Sequence, residues 1–153
     1  MPLHSKVWIY QCNREFSENE LREIKNKSGL FIEQWTSHSK QMNACIEIFY
    51  NRFIVIAADE TTAPASGCGI DKSVHFIKQV EKDYSVNLFD RMLVAYKNGD
   101  AVESCDLRQF ETLIANGKVS ENTIVFNNLV TSRQEMETAW EVPLQNSWHA
   151  KLI

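Results

Sequence analysis

Two runs of the chain are saturated with apolar and β-branched residues in the manner of paired strands. Ala44–Tyr50 (ACIEIFY) and Phe53–Ala58 (FIVIAA) flank Asn51-Arg52. Two such runs around a two-residue connection predict a hairpin with Asn51-Arg52 as its turn. The second run is apolar at every position, so both of its faces are expected to be covered and the strand to be central. Upstream, Lys6–Gln11 (KVWIYQ) reads as a further strand. Leu21, Ile24, Ser28, Phe31 and Trp35 recur at spacings of 3, 4, 3 and 4, which is one face of a helix. Ser17-x-x-Glu20 is a capping box for its start, with Phe16 and Leu21 placed as a hydrophobic staple. Gly29 weakens that helix by about 1 kcal/mol relative to Ala, and a kink or break is expected there. His38–Asn43 is polar and reads as a loop.

Beyond the hairpin, residues Asp59–Ile70 form a loop. Asp71 is expected to cap a helix through Tyr84, with Val74, Ile77, Val80 and Tyr84 on one face. Met92–Tyr96 and Ala101–Cys105 are strands around Lys97-Asn98-Gly99-Asp100, where Asn-Gly signals a tight hairpin. Asp106 and Gln109 open a short helix with Leu107, Phe110, Leu113 and Ile114 inward, and Gly117 sits at its stop. Thr123–Val130 reads as a strand, and Ser132-x-x-Glu135 opens a last helix carrying Met136 and Trp140. The order is β-α-β-β-α-β followed by β-α-β-α. It predicts a single α+β domain over residues 1–153, with helices packed on a mostly antiparallel mixed sheet. The first six elements match a ferredoxin-like split βαβ core, the rest being an extension. Residues 142–153 are expected to dock as a tail, held by Trp148 and the nearby Trp140.

Composition narrows the function classes. The 153 residues are 44% hydrophobic and 24% charged, an ordinary globular balance. Sixteen basic against twenty acidic residues leave a net charge of −4, which speaks against nucleic-acid binding. The first residues, MPLHSKVWIYQCNREF, lack the apolar core and cleavage site of a secretory signal. The longest apolar run, Phe53–Ala58, falls far below the roughly 20 residues of a membrane span. Cys12, Cys45, Cys68 and Cys105 form no CxxC pair and read as reduced thiols, so a cytoplasmic location is expected.

Chemistry concentrates in the loop. Asp59-Glu60-Thr61-Thr62-Ala63-Pro64-Ala65-Ser66-Gly67-Cys68-Gly69-Ile70-Asp71 leaves a buried strand and enters a helix. Gly67 and Gly69 permit close approach of the backbone to a ligand or to another strand. Free amides at a helix start favour a small anion, which makes Ser66, Gly67, Cys68, Gly69 and Asp71 candidate binding residues. A thiol near a helix N-terminus is activated as a nucleophile, and His75 and Asp59 are candidate base and acid/base partners for Cys68. The structural alternative is as concrete. The glycines would allow a tight helix entry, Asp71 would be an N-cap that repels anions, and Cys68 would lie buried. His75 would then be a half-buried helix residue and Asp59-Glu60 a solvated strand end. His4, His38, His75 and His149 have no metal-ligand spacing, and neither metal nor cofactor is expected. Phe89-Asp90-Arg91 reads as an ion pair holding a loop, the alternative being a functional Arg91, and Trp140, Trp148 and His149 as an anchor closing the core, the alternative being an exposed partner-binding patch.

Val7-Trp8-Ile9-Tyr10-Gln11, Trp35 followed by His38, Ser66 through Phe76 (SGCGIDKSVHF), Phe89-Asp90-Arg91 and Ser147-Trp148-His149 together resemble a family of short bacterial proteins. Its members often carry the label "ABC transporter ATPase" without an assigned activity. The resemblance spans nearly the whole chain, although the family's usual loop has Ser where this one has Gly69. The label implies ATP chemistry that the residues do not support. A P-loop needs Gly-Lys-Ser/Thr to cradle phosphates and hold Mg²⁺. Ser66-Gly67-Cys68-Gly69 has neither the lysine nor the spacing, and the only Gly-Lys pair, Gly117-Lys118, is followed by Val119. No ATP hydrolysis is expected. Two functions remain: a non-enzymatic module that binds a protein partner or self-associates, or a small-ligand site or enzyme centred on Asp59–His75.

Overall fold

A computed structural model describes residues 1–37, 39–61 and 63–153. His38 and Thr62 lie outside the described residues. The chain is α+β with antiparallel strand pairing, and it forms two compact units. No described helix is long and apolar enough to cross a membrane.

The first unit comprises Met1–Phe89 with Thr131–Gln134. It contains β1 (Lys6–Gln11), α1 (Glu18–Gln34), β2 (Thr36–Ser37), β3 (Lys40–Gln41), β4 (Asn43–Phe49), β5 (Phe53–Asp59) and α2 (Gly67–Tyr84). The main sheet has the order β1-β5-β4, with β5 antiparallel to both neighbours. β1 and β4 therefore run parallel across β5, with α1 between them in sequence, which is a split βαβ unit. As its composition implies, β5 is buried at every position from Phe53 to Ala58. On one face Tyr10, Cys12, Ile54, Ile56 and Ala58 pack with Ile24, Trp35, Ile77 and Val80 of the helices and their ends.

Three of the four strands of a ferredoxin-like sheet are thus in place, but the fourth is not. The strand after α2, β6 (Leu93–Asn98), pairs with its hairpin partner β7 (Ala101–Asp106) on one side and with β8 (Ile124–Phe126) on the other. With both edges of β6 taken, none is left for β1. The outer edge of β1 is met instead by Thr131–Ser132, through Val7 N–H to Thr131 O at 3.0 Å and a bridge between Lys6 and Ser132.

Local chemistry accounts for the helix ends. Ser17 and Glu20 close the expected capping box on α1, each side chain taking the other residue's amide. α1 runs unbroken through Gly29 to a cap at Trp35. Lys40-Gln41, expected as loop, instead form β3 and pair antiparallel with Thr36-Ser37 of β2. The β4–β5 turn lies one residue earlier than expected, with φ of +53° at Tyr50 and +57° at Asn51. Arg52 is drawn into the ladder, where its carbonyl accepts from Cys12 N–H at 2.8 Å.

Ser28, on the buried stripe of α1, has a hydroxyl with no hydrogen-bond partner among the described residues. A buried unsatisfied hydroxyl costs stability, and Ser is a poorer helix former than Ala. Ser28→Ala is expected to stabilise the protein by about 1 kcal/mol, seen as a raised urea midpoint with unchanged slope. A lowered midpoint would show that the hydroxyl is satisfied in solution.

The second unit comprises Asp90–Val130 with Glu135–Ile153. After β6 and β7 come α3 (Leu107–Ala115), β8, α4 (Arg133–Ala139, which begins just before this unit) and β9 (Glu141–Pro143), then 3-10 turns at Leu144–Asn146 and Trp148–Leu152. Its sheet has the order β7-β6-β8-β9. Gly99, at φ +64°, supplies the left-handed residue of the β6–β7 turn. Asp106 and Gln109 complete a second capping box on α3. The strand expected over Thr123–Val130 stops at Phe126. Asn127 there turns its side chain onto Leu129 N–H at 3.2 Å while its own N–H bonds Trp140 O at 2.7 Å. Val94, Phe110, Val119, Val125 and Leu144 form the core, with Trp148 and Leu152 against it. The chain after Val142 thus supplies part of this core.

Candidate functional site

The loop singled out by sequence enters its helix earlier than expected. α2 begins at Gly67, and its N-cap is Ser66, not Asp71. Ser66 has extended backbone angles, and its hydroxyl accepts from Gly69 N–H at 3.3 Å. Both residue types are good N-caps, and contacts from outside the helix favour Ser66. Its Oγ lies 2.7 Å from Ser37 Oγ, and Ser66 N–H donates to Ser37 Oγ at 3.2 Å. One turn in, the Trp35 indole N–H donates to Gly69 O at 2.8 Å in a buried position. A Cβ on Gly69 would stand 3.2 Å from Ser37 Cβ and 3.3 Å from Ser37 Oγ. The close approach that Gly69 permits is therefore made to β2 of the same unit. Lys72 adds a further tie, from Nζ to Thr36 Oγ1 at 3.1 Å and Thr36 O at 3.3 Å.

The other candidates are placed singly. Cys68 lies in the first turn of α2 with its thiol exposed. Asp71 and His75 are exposed on the same helix. None of these three side chains has a hydrogen-bond or ionic partner among the described residues. His75 stands seven positions along the helix from Cys68, about 10 Å along the axis at 1.5 Å per residue. That spacing keeps the imidazole out of hydrogen-bond reach of the thiol, so the helix does not assemble a nucleophile–base pair from them. Asp59, at the end of β5, accepts from Thr61 N–H at 3.0 Å, from the Thr61 hydroxyl and from His4 Nε2 at 3.1 Å. The Thr61 bonds, then His4, hold its carboxyl down at about 2. Glu60 accepts from Ala65 N–H at 2.9 Å and pairs with Lys6 at 3.5 Å. The two carboxylates therefore fasten the loop to the strand. No described cluster of three or more His, Cys, Asp or Glu is arranged to hold a metal ion. His149 is buried, with Nδ1 at 2.7 Å from Ser147 Oγ and its ring stacked on Trp148 at 3.8 Å.

A second feature escapes side-chain pattern reading, because it depends on which way the peptide groups of β4 point. Cys12 N–H bonds Arg52 O, so the hydrogen-bonded pairs of β1 with β5 fall at Tyr10–Ile54, Trp8–Ile56 and Lys6–Ala58. Alternation then turns the peptide groups of Phe53, Val55, Ala57 and Asp59 toward β4, where they meet Phe49, Glu47, Cys45 and Asn43. The peptide groups of Ala44, Ile46 and Ile48 face away from the sheet. Met42, next in this series, has its N–H on Trp35 O at 2.9 Å. Ala44, Ile46 and Ile48 have no such partner among the described residues. Among the described residues β4 has no strand neighbour but β5. Its seven residues, NACIEIF, contain one charge, Glu47, and no Lys or Pro of the kind that blunts edge strands. The signal available in sequence was that lone charge, which marks β4 rather than the all-apolar β5 as the outer strand.

Comparison with protein-family models, with curated proteins and with solved structures finds no match to this chain.

Proposed function

We propose that the chain is a binding module that takes up an extended strand along the free edge of β4. The observation that carries this reading is the row of peptide groups at Ala44, Ile46 and Ile48 that have no partner among the described residues. An open edge recruits a strand through main-chain hydrogen bonds, and side-chain neighbours set the register. The side chains of Ala44, Ile46 and Ile48 pack against the core of the first unit, which holds the edge in a fixed shape. The competing site at Asp59–His75 draws less support, because Ser66 and Gly69 are engaged by Ser37 and Trp35. Four free thiols support placing this activity in the reducing cytoplasm. The kinship with the short bacterial family stays part of the proposal and adds no ATP chemistry to it.

The test is a photo-crosslinking amino acid placed at Glu47 in cells that make the protein. We expect a discrete adduct that disappears when Ala44→Pro is added. Proline there removes only an outward N–H, so the hairpin bonds to β5 survive. An adduct that persists in the Ala44→Pro background, or no adduct at all, would overturn the reading.

A further inference from the structure

We infer that the strand received by β4 is β4 of a second copy of this chain, paired antiparallel about a two-fold axis at Ile46. The inference rests on the strand-addition reading above and names its partner. An isologous contact requires a surface that complements itself, and the edge of β4 does so in one register. With the axis at Ile46, the two Ile46 residues exchange both of their peptide bonds. Ala44 of each copy does the same with Ile48 of the other. Every outward group of the strand is then paired, in about six ladder hydrogen bonds.

The neighbouring registers are poorer for identifiable reasons. An axis at Glu47 sets the two carboxylates directly opposite one another, which is destabilising. An axis at Cys45 brings Ile48 opposite Met42, whose N–H is already committed to Trp35 O. The Ile46 register instead places each Glu47 opposite Cys45 of the second copy, so no like charges face directly. Side chains of Ala44, Ile46 and Ile48 from both copies fall on the helix-covered face, which extends the apolar layer across the junction. A contact of one strand per copy is small, so a weak, concentration-dependent dimer is expected.

Sedimentation velocity on the full chain, over about three decades of concentration from about 1 µM, reads this directly. We expect a monomer–dimer equilibrium that Ala44→Pro abolishes. Cys45→Lys should tighten it and Cys45→Glu weaken it, each by about tenfold, because position 45 meets Glu47 of the other copy twice per dimer. A merely structural lesion at Cys45 would move both variants the same way. Circular dichroism melts confirm that each variant is folded. A dimer indifferent to Ala44→Pro, or to the charge at position 45, overturns the inference. So does a protein that is monomeric throughout. If the pure protein is monomeric while the cellular adduct at Glu47 depends on the edge and contains a different polypeptide, only the self-pairing fails. If the adduct is missing as well, strand addition fails with it.

Discussion

Trp35→Ala is expected to cost about 3–5 kcal/mol of unfolding free energy, the range for emptying a large aromatic site in a packed core. Trp35 is 1% exposed and lies at the end of α1. Its ring meets Phe31 at 5.3 Å and Trp8 edge-on at 6.5 Å, while its N–H ties the first turn of α2 through Gly69 O. Replacement therefore removes packing and also severs a tie between two helices. Trp35→Phe separates the two. It keeps most of the ring and loses the donor, and should cost about 1–2 kcal/mol, the worth of a buried hydrogen bond plus a small packing defect. Urea unfolding of both variants provides the comparison. A loss below about 1 kcal/mol for Trp35→Ala would remove Trp35 from the centre of this core.

Acidification is expected to destabilise the second unit through His149. Burial holds this imidazole down at about 4, against an ordinary value of 6.5. The unfolded chain therefore binds the proton more readily than the native one, and stability falls as pH falls between these values. The contribution is whole above pH 6.5, declines through the interval and is gone below about 4. Its full size is about 3 kcal/mol, from 1.36 kcal/mol per pH unit. Glu20 and Asp59, both held at about 2 against ordinary values of 4.5 and 3.8, lose their contributions mainly below pH 4.5, so the interval from 6.5 down to 4.5 reads His149. Glu20 owes its low value first to Arg14, at 2.8 Å, and then to Ser17 N–H. Urea unfolding at pH 7.5 and 4.5 should show the loss in the native chain and a much flatter response in His149→Gln. Equal slopes in the two proteins would assign the acid sensitivity elsewhere.

The elements that could be read from the sequence are those whose causes are local. Ser17 with Glu20 and Asp106 with Gln109 declare their helix starts because each cap is closed by a residue three positions on. The buried β5 is visible because every side chain from Phe53 to Ala58 is apolar. Features chosen by distant parts of the chain were not visible. Ser66 and Asp71 are both competent caps, and Ser-Gly-Cys-Gly is a poor helix former. Ser37 and Trp35, about thirty residues upstream, favour the earlier start. The same holds for β6, whose apolar pattern is silent about which strand it joins. The candidate chemistry was legible only as residue types. Asp71 and His75 share a helix as expected, but Cys68, expected in the loop before it, lies in its first turn, because that helix begins at Gly67. The lone charge of Glu47 signalled that β4 is an outer strand, but which of its peptide groups face outward was hidden, since backbone phase leaves no trace in side-chain composition.

The return of Thr131–Ser132 to the flank of β1 bears on how the molecule can be divided. A fragment ending at Phe89 would hold every strand of the first sheet and both long helices, yet it would be missing the short piece that occupies the far side of β1. Such a fragment would have two open margins where the intact chain has one. Two open margins propagate into fibres, whereas a single one closes off as a pair.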